Sequence, residues 1–202
     1  MKIEEIIGRL RENYQTRPYL RDPFEVLITT ILSQRTKDEN TAKASARLFS
    51  VYKTPREIAD AEEEELQELI KPSGFYRVKA GRIKEVSKAI LERYGGQVPE
   101  DVGELLKLPG VGRKTANCVL VYGFGKEAIP VDVHVEVVAK RLGLVDKDAD
   151  AIDVEKQMQR VVPKRYWTSI NELLVQFGRD ICRTRNPKCR ECFIKDLCDH
   201  WR

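Results

Sequence analysis

The chain has 202 residues, 42% of them hydrophobic, a size and apolar content that can bury a core and that exclude a disordered polar chain. The net charge of +4 is too mild to identify a nucleic-acid binder by itself. The start Met1-Lys2-Ile3-Glu4-Glu5 has no apolar stretch behind it, and the most apolar run, 118–124, is far below the ~18 residues of a membrane span, so a soluble, cytoplasmic protein without a targeting signal is expected.

Helical periodicity runs through nearly the whole sequence and strand alternation is almost absent, which predicts an all-α fold. Ile3, Ile6, Ile7 and Leu10 fall on one helical face. Pro23 opens a second helix through Val26, Leu27, Thr30 and Ile31, with Asp22 as its N-cap. Asp38 starts a third, with Ala42, Ala46 and Phe49 expected on its inner face. Thr54-Pro55-Arg56-Glu57 spells an N-cap, a proline at the first helical position and a capping-box glutamate. The acidic run Glu62 to Glu65 reads as a solvated face or turn. A longer helix is predicted over 75–94, stopped by Gly95-Gly96, and a short one over 102–107. After the turn Leu108-Pro109-Gly110-Val111-Gly112 a helix is predicted over 113–122, then others over 133–142, 154–161 and 167–181.

Two features carry chemistry. The 108–112 turn makes a glycine-dependent hairpin whose second helix offers backbone N–H groups to an anion such as a DNA phosphate; a corner with no ligand would look similar. Separately, Cys182, Cys189, Cys192 and Cys198 form C-x6-C-x2-C-x5-C, four of the five cysteines in a short span. Four soft thiolates suit an iron–sulfur cubane or a structural zinc ion, and the single Cys-x-x-Cys pair leans toward iron–sulfur. Cys118, on an apolar helix face, reads as a small buried hydrophobe. Basic residues outnumber acidic ones seven to four between Arg179 and Arg202, so most of the net charge lies there.

Leu108-Pro109-Gly110-Val111-Gly112-Arg113-Lys114-Thr115-Ala116 resembles the helix-hairpin-helix of base-excision DNA glycosylases, and Pro130-Val131-Asp132-Val133-His134 resembles the Val-Asp-x-His segment of the endonuclease III branch. The cysteine spacing agrees, and the resemblance spans essentially the whole chain. It implies a 4Fe–4S cluster held by Cys182, Cys189, Cys192 and Cys198, ordering a loop whose Arg183, Arg185 and Lys188 reach DNA phosphates. It also implies that Lys114 attacks the deoxyribose C1′. The local chemistry alone also fits a solvated or phosphate-contacting lysine, although Arg113 and the helix start favour the neutral, nucleophilic amine. Asp132 reads as an N-cap, and the resemblance adds a role in stabilising positive charge on the sugar. His134 reads as structural.

A glycosylase extrudes its target base and fills the gap. The family's filling glutamine corresponds by count to Arg35 in Ser33-Gln34-Arg35-Thr36-Lys37-Asp38, with Gln34 one place before it, so either side chain is a candidate. Phe75, after Gly74, matches a second, apolar filler, and a core role is the alternative. The hairpin contributes Leu108, Gly110, Gly112 and Arg113 to the expected DNA contacts.

The resemblance thus implies two helical lobes flanking a DNA-binding cleft. One is a helical barrel over 22–129, with the hairpin at about 101–123. The other is a discontinuous cluster domain, 1–21 plus 130–202, with the cluster loop at 182–198. The implied activity is a monomeric, bifunctional N-glycosylase and AP lyase that removes oxidised pyrimidines from double-stranded DNA and nicks abasic sites. A monofunctional mismatch glycosylase and a non-catalytic iron–sulfur DNA-binding protein are the rivals.

Overall fold

The computed structural model describes residues 2–16 and 20–201; Arg202, counted above among the basic residues, lies outside the described residues. Among the described residues the chain forms eleven α-helices and no strand, and no helix is long and apolar enough to cross a membrane. The chain divides into two compact units, Leu20–Gly125 and Met1–Tyr19 with Lys126–Arg202. Both divisions fall a few residues before the expected ones. Arg21 N donates to Tyr122 O at 3.0 Å, which ties the start of the first unit to its end. Glu127 pairs with Lys164 at 2.6 Å, inside the second.

The first unit is built from α2 (Pro23–Ser33), α3 (Asp38–Val51), α4 (Pro55–Asp60), α5 (Glu63–Leu69), α6 (Tyr76–Tyr94), α7 (Val102–Leu105) and α8 (Arg113–Cys118). Asp22 caps α2, its Oδ1 accepting from Phe24 N at 2.9 Å and Glu25 N at 3.0 Å. Phe24, Val26, Leu27, Ile28, Ile31 and Leu32 are all buried, so α2 is the unit's central helix. The Thr54–Glu57 capping box forms, and α6 stops at Gly95 in the left-handed conformation.

Two expectations need correction. The inner face of α3 is Thr41, Ala44 and Leu48, whereas Ala42 and Ala46 are exposed and Phe49 is only partly covered. Both stripes satisfy helical spacing; burial follows the branched Leu48, and Thr41 is buried at little cost because its hydroxyl donates to Lys37 O at 3.2 Å. The helix expected over 113–122 is α-helical only to Cys118 and then widens into a π turn, Val119–Gly123. π turns recur where a functional site distorts a helix.

The second unit packs α1 (Lys2–Asn13) against α9 (Val133–Arg141), α10 (Ala151–Val161) and α11 (Trp167–Asp180). Ile3, Ile6, Ile7 and Leu10 enter a core with Val135, Val138, Leu173, Leu174 and Phe177, each such side chain stabilising the unit by about 1.5–3 kcal/mol. The same helix holds the C-terminal loop. Arg9 donates to both carboxylate oxygens of Asp196, at 2.6 and 2.9 Å, and Lys2 to Leu142 O at 2.6 Å and Asp199 at 2.8 Å. Tyr14, Phe177 and Phe193 form an aromatic cluster with centroids 5.6–6.5 Å apart.

Candidate functional site

The hairpin turns tightly. Leu108 N donates to Leu105 O at 3.1 Å and Val111 N to Leu108 O at 3.2 Å. Gly110 sits at φ +72°, where a Cβ would lie 2.4 Å from Arg82 Cδ, so both conformation and space select glycine. Leu108 is buried and serves the turn's own core, while Gly112 and Arg113 are exposed. Gly112 is the N-cap of α8 and brings no side-chain cap, in contrast to Asp22, Asp132 and Asp150 at the starts of α2, α9 and α10. First-turn N–H groups without a side-chain cap turn to solvent or to an anionic ligand. Lys114, the second residue of α8, is partly exposed.

Asp132 caps α9. Its Oδ1 accepts from His134 N and Val135 N, both at 2.9 Å, which fixes the carboxylate; no described residue bonds its other oxygen. His134 packs against α11 at Gly178, and its buried Nδ1 has no hydrogen-bond partner among the described residues.

Cys182, Cys189, Cys192 and Cys198 line one cavity, walled by Leu142, Phe177, Ile181 and Pro187. Among the described residues no three His, Cys, Asp or Glu side chains form a group around a single ion. Burial pushes the Cys182 and Cys192 thiols up, and Arg141 opposes the shift at Cys182. The Arg141 guanidinium donates to Cys182 O and Sγ (3.3 and 3.6 Å), Arg183 O (2.7 Å) and Thr184 O (3.1 Å), folding the loop around one cation. Arg183 and Arg185 are exposed on that loop, whereas Lys188 is half-buried 3.8 Å from Asp180. Cys118 is buried elsewhere, in α8.

The loops expected to fill the duplex gap meet in the first unit. Gln34, Arg35, Phe75, Val78, Lys79 and Arg82 line one open pocket. Arg35 and Phe75 both have left-handed backbones, φ +51° and +57°, a conformation few non-glycine residues adopt outside functional sites. Both are exposed, Phe75 by 63%, so it is not a core residue. Gln34 is partly covered, and its Oε1 accepts from Arg82 Nη1 at 3.1 Å. Lys79, unmarked in the sequence, lies beneath these loops and is only 3% exposed. Burial, with repulsion from Arg82, pushes its ammonium down to about 8. Its only sequence signal is its place in the periodicity of α6, one residue before buried Ala80.

Comparison with known proteins gives these features a context. A family profile described as HhH-GPD superfamily base excision DNA repair protein matches residues 28–164. Endonuclease III of Thermotoga maritima is 50% identical over 200 residues, covering 99% of this chain and 93% of the relative. Endonuclease III of Bacillus subtilis is 45% identical over 177 residues, 88% of this chain and 81% of the relative. Among solved structures, a trapped endonuclease III–DNA covalent intermediate, an estranged-adenine complex, matches with a TM-score of 0.88 at 38% identity, covering 100% of this chain and 97% of that one. A thermostable thymine-DNA glycosylase matches with a TM-score of 0.89 at 29% identity, covering 99% and 96%. The chain belongs to the endonuclease III family within the HhH-GPD superfamily of base excision DNA repair proteins.

Proposed function

We propose that the chain is a base-excision DNA N-glycosylase and AP lyase acting on damaged or abasic duplex DNA, with Lys114 as nucleophile and oxidised pyrimidines as its base substrates. The observation that carries this reading is Lys114 itself, a partly exposed lysine in the first turn of the hairpin helix of an endonuclease III family member. Such an enzyme works at the nucleoid, where the duplex is.

The chemistry follows from the residues. Lys114 Nζ attacks C1′ as the C1′–N bond to the damaged base breaks, and the departing base takes up a proton. Asp132, held by its two backbone N–H donors, supplies negative charge where the sugar becomes oxocarbenium-like. The sugar ring opens to a Schiff base on Lys114, a proton leaves C2′, and β-elimination expels the 3′ phosphate. The hairpin backbone from Gly110 to Arg113 binds a phosphate without reading sequence, and Arg183 and Arg185 add salt-sensitive contacts. Lys188, paired with Asp180, adds less. Leu108 contributes through its backbone and its packing. Of the two gap-filling candidates, Arg35 is favoured over Gln34, because Arg82 holds the Gln34 amide while Arg35 is exposed beside Phe75.

The four thiols around one apolar-walled cavity fit a 4Fe–4S cluster, with Cys182, Cys189, Cys192 and Cys198 as its ligands. When bound, the cluster cross-links the 182–198 loop; it supplies no step of the base chemistry.

The direct test is single-turnover incubation with a duplex carrying one thymine glycol. Release of the free base together with a nicked strand ending in an unsaturated aldehyde supports the bifunctional reading. Base release that leaves the abasic strand intact favours a monofunctional glycosylase, and loss of neither base nor strand continuity contradicts both.

A further inference from the structure

We propose that Lys79 is the positioning residue for base extrusion: its buried ammonium joins loop 33–37 to loop 72–75, so that Arg35 and Phe75 enter the duplex as one wedge. The inference rests on the glycosylase reading above and adds a residue to it.

The three N–H groups of Lys79 Nζ are shared among four oxygens within hydrogen-bond distance, Leu32 O at 2.7 Å, Gln34 O at 2.6 Å, Thr36 Oγ1 at 2.9 Å and Ser73 Oγ at 2.9 Å. Three acceptors come from the end of α2 and the loop after it, and the fourth from the loop before α6. The loops also touch directly. Gly74 N donates to Thr36 Oγ1 at 3.0 Å, and a Cβ on Gly74 would lie 2.9 Å from Arg35 O, so only glycine lets the two backbones come this close. Every acceptor is a neutral oxygen. A buried ammonium surrounded by neutral groups costs more than a methionine of similar length would, so filling the core does not account for it.

What the ammonium does is satisfy two carbonyls at and just after the end of α2, Leu32 O and Gln34 O, together with the Thr36 and Ser73 hydroxyls, beside unusual backbone. Left-handed non-glycine residues persist only where their surroundings over-determine them; among the described residues these are Arg35, Phe75 and Asn186, and the first two each lie within two residues of a Lys79 acceptor. Both side chains are exposed on the pocket that Lys79 floors. A wedge must resist restacking of the bases that it separates. Two tips on independent loops would give way singly; two tips on loops that are both bonded to one buried cation move together or not at all. At 3% exposure Lys79 does not itself reach DNA, so it acts through the loops.

The test uses the full, cluster-loaded protein with Lys79→Met and, as the milder variant, Thr36→Val, which removes one acceptor and the bond to Gly74. Two substrates are compared: a duplex with thymine glycol opposite 2-aminopurine, and a single-stranded oligonucleotide with an abasic site, where no base is extruded and no gap filled. Lys79→Met is expected to slow duplex excision by about 10²-fold and Thr36→Val by about tenfold. Both are expected to lose the rise in 2-aminopurine fluorescence that accompanies unstacking, while single-strand cleavage is spared. A parallel fall on both substrates, or an undiminished fluorescence rise, would overturn the proposal. If Lys79→Met does not fold, Thr36→Val carries both readouts. Failure of the unmutated protein on both substrates would instead sink the glycosylase reading.

Discussion

The two units hold their chemical groups by different means. In the unit containing Lys126–Arg202 the chemical groups themselves are close in sequence: Asp132 caps the helix that follows it within three residues, and the four cysteines share one short loop, which Arg141, 41 positions before Cys182, then fastens. In the unit Leu20–Gly125 the loops that carry the exposed Arg35 and Phe75 are joined by the ammonium of Lys79, 47 positions from Leu32 and 43 from Thr36. Local devices survive damage elsewhere in the chain. A long-range clamp couples distant loops, and its loss is felt at both.

The sharpest way to separate charge from cap is Asp132→Asn. Asparagine caps a helix about as well as aspartate, so thermal stability should hardly change, while excision should fall by about 10²–10³-fold for want of the negative charge. A matching drop in melting temperature would mean that the residue matters chiefly as a cap. Next in size is Cys192→Ser. If the thiols hold a cluster, the variant loses absorbance near 400 nm, and loss of a structural metal site destabilises by several kcal/mol. Unchanged absorbance and melting would remove Cys192 from the ligand set. Smaller still is Gly110→Ala, which forces a side chain into left-handed backbone at about 1–2 kcal/mol and pushes on Arg82. It should weaken DNA binding more at low salt than at high salt, as the loss of a phosphate contact does; an equal loss at both would point to general unfolding of the hairpin.

This difference between the units also explains what was legible in the sequence. Asp22, Thr54 with Glu57, Asp132 and the 108–112 turn state their structure within four or five residues, and each forms. The inner face of α3 was not legible, because two stripes one residue apart satisfy the same helical spacing and a threonine carries one of them. Lys79 was invisible for a deeper reason. A lysine in a helix reads as solvated, and its burial depends on four oxygens from residues 32, 34, 36 and 73 that only the folded chain brings together. The preference proposed for Arg35 over Gln34 likewise rests on a contact of Gln34 with Arg82, 48 positions away.

The most direct measurement is borohydride trapping on a duplex carrying one thymine glycol, with Lys114→Gln alongside. The account predicts a covalent protein–DNA adduct with the unmutated protein and none with the variant, although the variant still folds and binds the duplex. An adduct that persists in Lys114→Gln would place the nucleophile elsewhere, and no adduct from either protein, on thymine glycol or on an abasic site, would contradict the Schiff-base mechanism itself.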